Sequence, residues 1–154
     1  ALNFIQEDDV LVASVSGHQG CAAAGDRVMG MLKNCGGVGF VTDGPMRDYA
    51  GLVEVGLPAW CTGLTPASPF TKGPATVGLP INIGGQKIES GDVIVADRDG
   101  VVVVPNRKID FVINRLSQVA DLEYSLDAEV REGLKIPDAV KEMILDDNVK
   151  FVDD

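Results

Sequence analysis

Histidine occurs once, at position 18, and the three cysteines Cys21, Cys35 and Cys61 stand 14 and 26 residues apart with no Cys-x-x-Cys pair. A structural zinc site needs clustered His and Cys ligands and a disulfide framework needs an even cysteine set, so neither organises this chain. The cysteines are expected to be small buried hydrophobes in a reducing cytoplasm. Basic residues are also scarce, 13 Lys and Arg against 23 Asp and Glu for a net charge of −10. With no local basic patch, such a chain repels nucleic acid and anionic membrane surfaces. The longest purely aliphatic run, Val101 to Val104, is far short of the roughly 20 residues that span a bilayer. A soluble, cytoplasmic protein is expected, with no nucleic-acid or membrane partner.

Several catalytic signatures are missing. There is no Gly-x-x-x-x-Gly-Lys-Ser/Thr loop and no Gly-x-Ser-x-Gly elbow, and a serine triad would have to borrow His18. "GGVGFVT" leads into a strand and lacks the third glycine of a dinucleotide fingerprint. The lysines all fall in polar turns or on exposed-looking helix faces, which leaves an imine-forming aldolase without a candidate.

What remains is a chain of 154 residues, 45% hydrophobic, enough for one domain with a real core. It opens on "ALNFIQEDDVLVASV" without an initiator methionine and is read as a fragment or processed product. Residues 9 to 15, rich in β-branched side chains, read as a strand. The stretch 26 to 37 reads as a helix, with Val28, Met29, Leu32 and Cys35 on one face, Asp26 as N-cap and Gly36-Gly37 as the stop. A strand over 38–43, a short helix over 47–56 and a strand over 58–63 complete a β-α-β-α-β order, the signature of a parallel α/β layer. After a proline- and threonine-rich loop, short strands broken by Gly-Gly, Ser-Gly-Asp and Asp-Gly predict hairpins of a small barrel. From Asn106 the pattern is helical. Ile109, Val112, Ile113, Leu116, Val119, Ala120 and Leu122 share a face, and a shorter amphipathic stretch follows Pro137. An apolar helical face of that length is expected to pack on a neighbouring subunit.

One charged constellation survives: Asp26, then twenty residues, then Arg47-Asp48. Each opens a helix just after the carboxyl end of a parallel strand, so both face one crevice. Read locally, the acids are capping residues, worth about 0.3 to 1 kcal/mol, and Arg47 is a solvated charge. Read together, the amides of Arg27 and Val28 with the Arg47 guanidinium hold a carboxylate, and Asp48 is neutralised by a divalent cation shared with that substrate. The residues by themselves leave both readings open.

The spacing of Asp26 to Arg47-Asp48, the turn "GFVTDGPMRD" and the later "GDVIVADRDGVVVVP" resemble the class II 4-hydroxy-4-methyl-2-oxoglutarate aldolases, relatives of the regulator of ribonuclease activity A (RraA-like proteins), over nearly all of residues 9 to 135. The resemblance implies a swivelling β/β/α fold and assembly as homotrimers or as hexamers made of paired trimers, with the site at a subunit boundary. It further implies that Asp48 is the protein's direct ligand to Mg²⁺ or Mn²⁺, that Arg47 grips a small 2-oxo acid substrate, and that Asp26 positions metal-bound water. Cleavage would pass through a pyruvate enolate, either from 4-hydroxy-4-methyl-2-oxoglutarate by retro-aldol reaction or from oxaloacetate by decarboxylation. Glu123, ten residues before Gly133, has a spacing similar to that of a family acid contributed by the adjacent subunit, and "LTPASPF" is expected to take part in substrate selection. The family has further residues upstream. Residues 1–154 are therefore read as a single domain lacking its N-terminal strands, with a C-terminal helical segment over about 106–150. The ribonuclease-regulating relatives lack the acid that follows the arginine, and the presence of Asp48 favours an enzyme over a non-catalytic regulator. A second rival is a phosphohistidine carrier using His18 in "SGHQGCAAAG".

Overall fold

Three parallel strands, β1 (Val10–Ala13), β2 (Gly39–Thr42) and β3 (Ala59–Trp60), form a sheet in the order β1-β2-β3. Val10 pairs with Gly39, Ala13 with Thr42 and Phe40 with Ala59. The crossovers carry α1 (Asp26–Asn34) and α2 (Tyr49–Val55), giving the expected β-α-β-α-β order. The computed structural model describes residues 1–69, 72–145 and 149–150. Phe70 of "LTPASPF" and positions 146–148 of the expected helical segment lie outside the described residues.

β2 is the central strand and all four of its residues are buried, as a strand covered on both faces requires. Met29 and Leu32 of α1 pack with Phe40, Ala24 and Met46 to make the core, and Leu52, Val55 and Leu57 close over it from α2 and its exit. The periodicity of α1 is thus legible at Met29 and Leu32, which are 1% and 0% exposed. Cys35 departs from it. The helix ends at Asn34, so Cys35 is the C-cap and is exposed. Gly36 then takes a left-handed turn, φ 92°, and its N–H and that of Gly37 donate to Lys33 O and Leu32 O, each at 3.0 Å.

Two corrections follow at the helix and the cysteines. Asp26 is the first helical residue, not the N-cap, which is Gly25. Cys35 and Cys61 are exposed and Cys21 is half-buried, because all three fall in caps and loops around the sheet rather than on its inner faces. The strands are also shorter than their β-branched runs suggest. At β1 the cause is visible: the Asp43 carboxylate takes the N–H groups of Val15 and Gly17, which therefore leave the ladder.

β4 (Ile81–Ile83) and β5 (Gln86–Ile88) form a hairpin whose two loop residues, Gly84 and Gly85, both have positive φ, as a type I′ turn needs. β6 (Val93–Ala96) and β7 (Val101–Val104) form a second hairpin, closed by Asp97, whose Oδ1 accepts the N–H groups of Asp99 and Gly100 at 2.8 and 3.3 Å. Trp60 Nε1 donates to Asp97 O at 2.7 Å and ties this turn to β3.

The chain forms two compact units, Ala1–Ile109 and Asp110–Asp154. After a 3-10 turn at Asn106–Lys108 come α3 (Ile109–Arg131) and α4 (Asp138–Ile144), the latter capped by Pro137. No residue of α3 is buried, and Ile113, Leu116, Val119 and Leu122 are exposed. Among the described residues no helix is long and apolar enough to cross a membrane.

Candidate active site

The parallel ladder ends at Ala13 and Thr42, and the chain beyond it resumes pairing at single positions. Met46 bridges Ala24 on one side and Leu64 on the other. Arg47 N–H donates to Ala24 O at 3.1 Å, Ala23 N–H to Pro45 O at 2.7 Å and Met46 N–H to Gly63 O at 2.9 Å. Met46 is 1% exposed, so three loops are stitched together over the core at the carboxyl ends of the strands. Ligand crevices of parallel sheets occupy that place.

Asp26, Arg27, Val28, Arg47 and Asp48 all line one cavity there, of about 340 Å³, together with Ala23, Ala24, Gly25 and Pro69. The structure therefore brings together the five residues selected from sequence. His18, on the loop after β1, is exposed and does not line this cavity, and Glu123 is exposed on α3.

The Asp48 charge is not spent on its helix. Asp48 precedes α2 in the N-cap position, but its side chain makes no capping hydrogen bond. Its backbone is left-handed, φ 64° and ψ 46°, a conformation that few residues other than glycine tolerate and that clusters at functional positions. Arg47 Nε lies 3.2 Å from Asp48 Oδ2, yet its buried N–H is not aligned with that oxygen and has no hydrogen-bond acceptor among the described residues. A buried unsatisfied donor costs about 1 to 3 kcal/mol. An ion pair whose side chains are 33% and 43% exposed returns at most about 1 kcal/mol. Stability does not account for the arrangement. Arg47 Nη1 donates to Ser68 Oγ at 2.6 Å.

The amides of α1 are engaged. Arg27 N–H donates to Asp26 Oδ1 at 2.6 Å and Val28 N–H to Gly25 O at 3.1 Å. Both amides that the sequence offers to an anion are thus taken, and the Arg47 Nε–H is a donor without an acceptor among the described residues. Gly25 makes room for it: a Cβ there would stand 2.5 Å from Asp48 Oδ2 and 3.1 Å from Arg47 Cγ. At Gly51 a Cβ would collide with the Asp26 carboxylate in the same way.

Among the described residues no three His, Cys, Asp or Glu side chains converge on a metal position. The described residues therefore build no closed, all-protein metal cage. Mg²⁺ does not need one, because it keeps several waters and binds through one or two carboxylates plus substrate oxygens. The uncapped Asp48 carboxylate in a polar cavity fits that mode.

Asp43 was visible in the sequence only as half of an Asp-Gly turn. Its Oδ1 accepts Val15 N–H at 2.6 Å, and its Oδ2 accepts Ser14 Oγ–H and Gly17 N–H, both at 2.9 Å. Gln19 Nε2 donates to Asp43 O at 2.9 Å, and Thr62 Oγ1 to Gln19 Oε1 at 2.7 Å. Burial pushes the Asp43 carboxyl upward, but the donors from Val15, Ser14 and Gly17 outweigh it and hold the group below its ordinary 3.8.

The RraA-like family model, described as Aldolase/RraA, matches residues 1–103. A protein of Halalkalibacterium halodurans named "Putative 4-hydroxy-4-methyl-2-oxoglutarate aldolase" is 39% identical over 107 residues, 70% of this chain and 51% of that one. The chain thus spans about half the length of that relative. RraAS2 of Streptomyces coelicolor, described as an unusual member of the RNase ES inhibitor RraA protein family, superposes with a TM-score of 0.76 at 34% identity, over 82% of this chain and 65% of its own. An uncharacterised protein of Pseudomonas syringae superposes with a TM-score of 0.79 at 28% identity, over 86% and 67%.

Proposed function

The chain belongs to the RraA-like family, and from that premise we propose that it is a divalent-metal-dependent lyase acting on 2-oxo acids. It cleaves 4-hydroxy-4-methyl-2-oxoglutarate to two pyruvates and decarboxylates oxaloacetate to pyruvate and carbon dioxide. The observation that carries the reading is the pairing, in one cavity, of a buried Arg47 N–H without an acceptor and a left-handed Asp48 whose carboxylate caps nothing.

Arg47 binds the substrate carboxylate and fixes the 2-oxo acid against Asp48. In the retro-aldol direction the 4-hydroxyl loses its proton, the C3–C4 bond breaks, and its electron pair becomes the enolate of pyruvate. In oxaloacetate the same bond breaks with loss of carbon dioxide and leaves the same enolate. The guanidinium stabilises the negative charge as it develops. Asp26 orders a water that takes the hydroxyl proton and returns one to C3. A Mg²⁺ or Mn²⁺ held by Asp48 would supply further positive charge for the carboxylate and keto oxygens. The proposed assembly is a homotrimer or a pair of trimers, a reading supported by the exposed apolar residues of α3.

A pyruvate assay coupled to lactate dehydrogenase, run on both substrates with Mg²⁺ and with EDTA, tests this. Turnover is expected to fall by at least two orders of magnitude in Arg47→Ala and Asp48→Asn, and to vanish with EDTA. Turnover above the free-metal background that survives EDTA or Arg47→Ala would overturn the mechanism. Phosphate incorporation at His18 would instead support the carrier reading, and neither activity would leave a non-catalytic regulator.

A further inference from the structure

Ser68 stands on the loop that follows β3, and its hydroxyl accepts the Nη1–H of Arg47 at 2.6 Å. The loop is not free at this point. Thr65 N–H donates to Met46 O at 2.9 Å, Ala67 N–H to Thr65 Oγ1 at 3.3 Å, and Ala22 N–H to Ala67 O at 3.0 Å. Each step leads back to the buried Met46 or to the segment before α1. Ser68 thus follows directly on an anchored stretch although it is itself exposed, and Pro69 beside it lines the cavity.

A guanidinium has five N–H donors in one rigid plane on a long, rotatable stem. Fixing one of them fixes the direction of the others. The Asp48 carboxylate does not do this, because the Nε–H of Arg47 is misaligned with it. Among the described residues, Ser68 is the partner that makes an aligned side-chain hydrogen bond to the group. We propose that Ser68 is a positioning residue: its hydroxyl orients the Arg47 guanidinium toward the carboxylate of a 2-oxo acid, and it thereby sets affinity for that substrate class. The inference rests on the reading of Arg47 as the carboxylate anchor. Ser68 touches neither the bond that breaks nor the enolate, and Arg47 keeps its charge without it, so its loss acts on substrate binding, and hence KM, more than on kcat.

The test uses the whole 154-residue chain, as wild type, Ser68→Ala and Ser68→Thr. Ser68→Ala is expected to raise KM for oxaloacetate about tenfold with kcat within about threefold, and Ser68→Thr, which keeps the hydroxyl, to restore KM. In parallel, the Nε–Hε signal of Arg47, assigned by its loss in Arg47→Lys, is followed by ¹⁵N NMR with and without pyruvate. Ser68→Ala is expected to shift and sharpen that signal toward a freely rotating arginine, and to weaken the response to pyruvate. An unchanged Arg47 signal in Ser68→Ala, or a KM that Ser68→Thr does not restore, overturns the positioning role. If wild type turns over neither substrate while Ser68→Ala still releases Arg47, the lyase reading fails and the positioning role stands.

Discussion

Gly25 and Asp48 share a space that admits only one of two things: a Cβ on Gly25 would stand 2.5 Å from Asp48 Oδ2. The φ of Gly25 is −141°, ordinary extended backbone, so the restriction is purely one of volume. Gly25→Ala is expected to fold with little loss of thermal stability, because the displaced atom is the end of a polar, half-exposed side chain. It is expected to lose about tenfold or more in kcat/KM, since a displacement of about 1 Å at reacting groups is worth that much or more. Circular-dichroism melting alongside the pyruvate assay checks both. Wild-type kinetics in Gly25→Ala would remove the Asp48 carboxylate from its assigned place.

Asp43 sets an acid limit on the same region. Its folded pKa lies below the ordinary 3.8, so its ionised form contributes stability in full above the unfolded value. That contribution is lost as pH falls through the lowered folded value. Between pH 5 and 8 no change is expected from this group. Below about pH 3.8 the loop of Ser14 to Gly17 should open, and Asp43→Asn should weaken that loop at every pH while flattening the acid response. Amide exchange at Val15 and Gly17, followed from pH 6 to 3, reads this directly. An acid response in Asp43→Asn equal to that of wild type would refute the assignment. Asp92 is held low in the same sense by N–H donors from Glu89 and Asn106, so the turn between β5 and β6 is expected to loosen over a similar range.

At position 48 the identity of the replacement matters. Asp48→Asn keeps the size of the side chain and a residue that tolerates the left-handed region, whereas Asp48→Ala puts there a residue without the short polar side chain that eases it, at a cost of about 1 to 2 kcal/mol. Both are expected to be inactive. Asp48→Asn should melt within a few degrees of wild type and Asp48→Ala measurably lower. Equal melting temperatures for the two would show that the backbone at 48 relaxes freely.

The parallel layer was legible because its signals are local and agree with one another. β-branched runs, the three- and four-residue steps of Met29 and Leu32, and the glycines after Asn34 all point to alternating strands and helices. The convergence of Asp26 and Arg47-Asp48 was legible too, since both follow carboxyl ends of parallel strands. What escaped depends on contacts between distant loops. Asp43 reaches back 26 to 29 residues to Gly17, Val15 and Ser14, and Ser68 meets Arg47 across 21. No periodicity marks such pairs. The amides of Arg27 and Val28 show the converse error: their position at a helix start was right, but Asp26 and Gly25 already satisfy them. The cysteines failed for a similar reason, because an apolar residue type says nothing about whether its position falls on an inner face or in a cap.

The left-handed backbone before α2 has a consequence for how this site can change over time. Aspartate, asparagine and glycine occupy that conformation at lowest cost, so the fold favours about three letters at position 48. One of the three carries a charge, and each of the other two is a single nucleotide away from it. A lineage could therefore trade a charged position 48 for a neutral one without passing through an unstable protein, and only selection on the site's chemistry would keep the carboxylate in place.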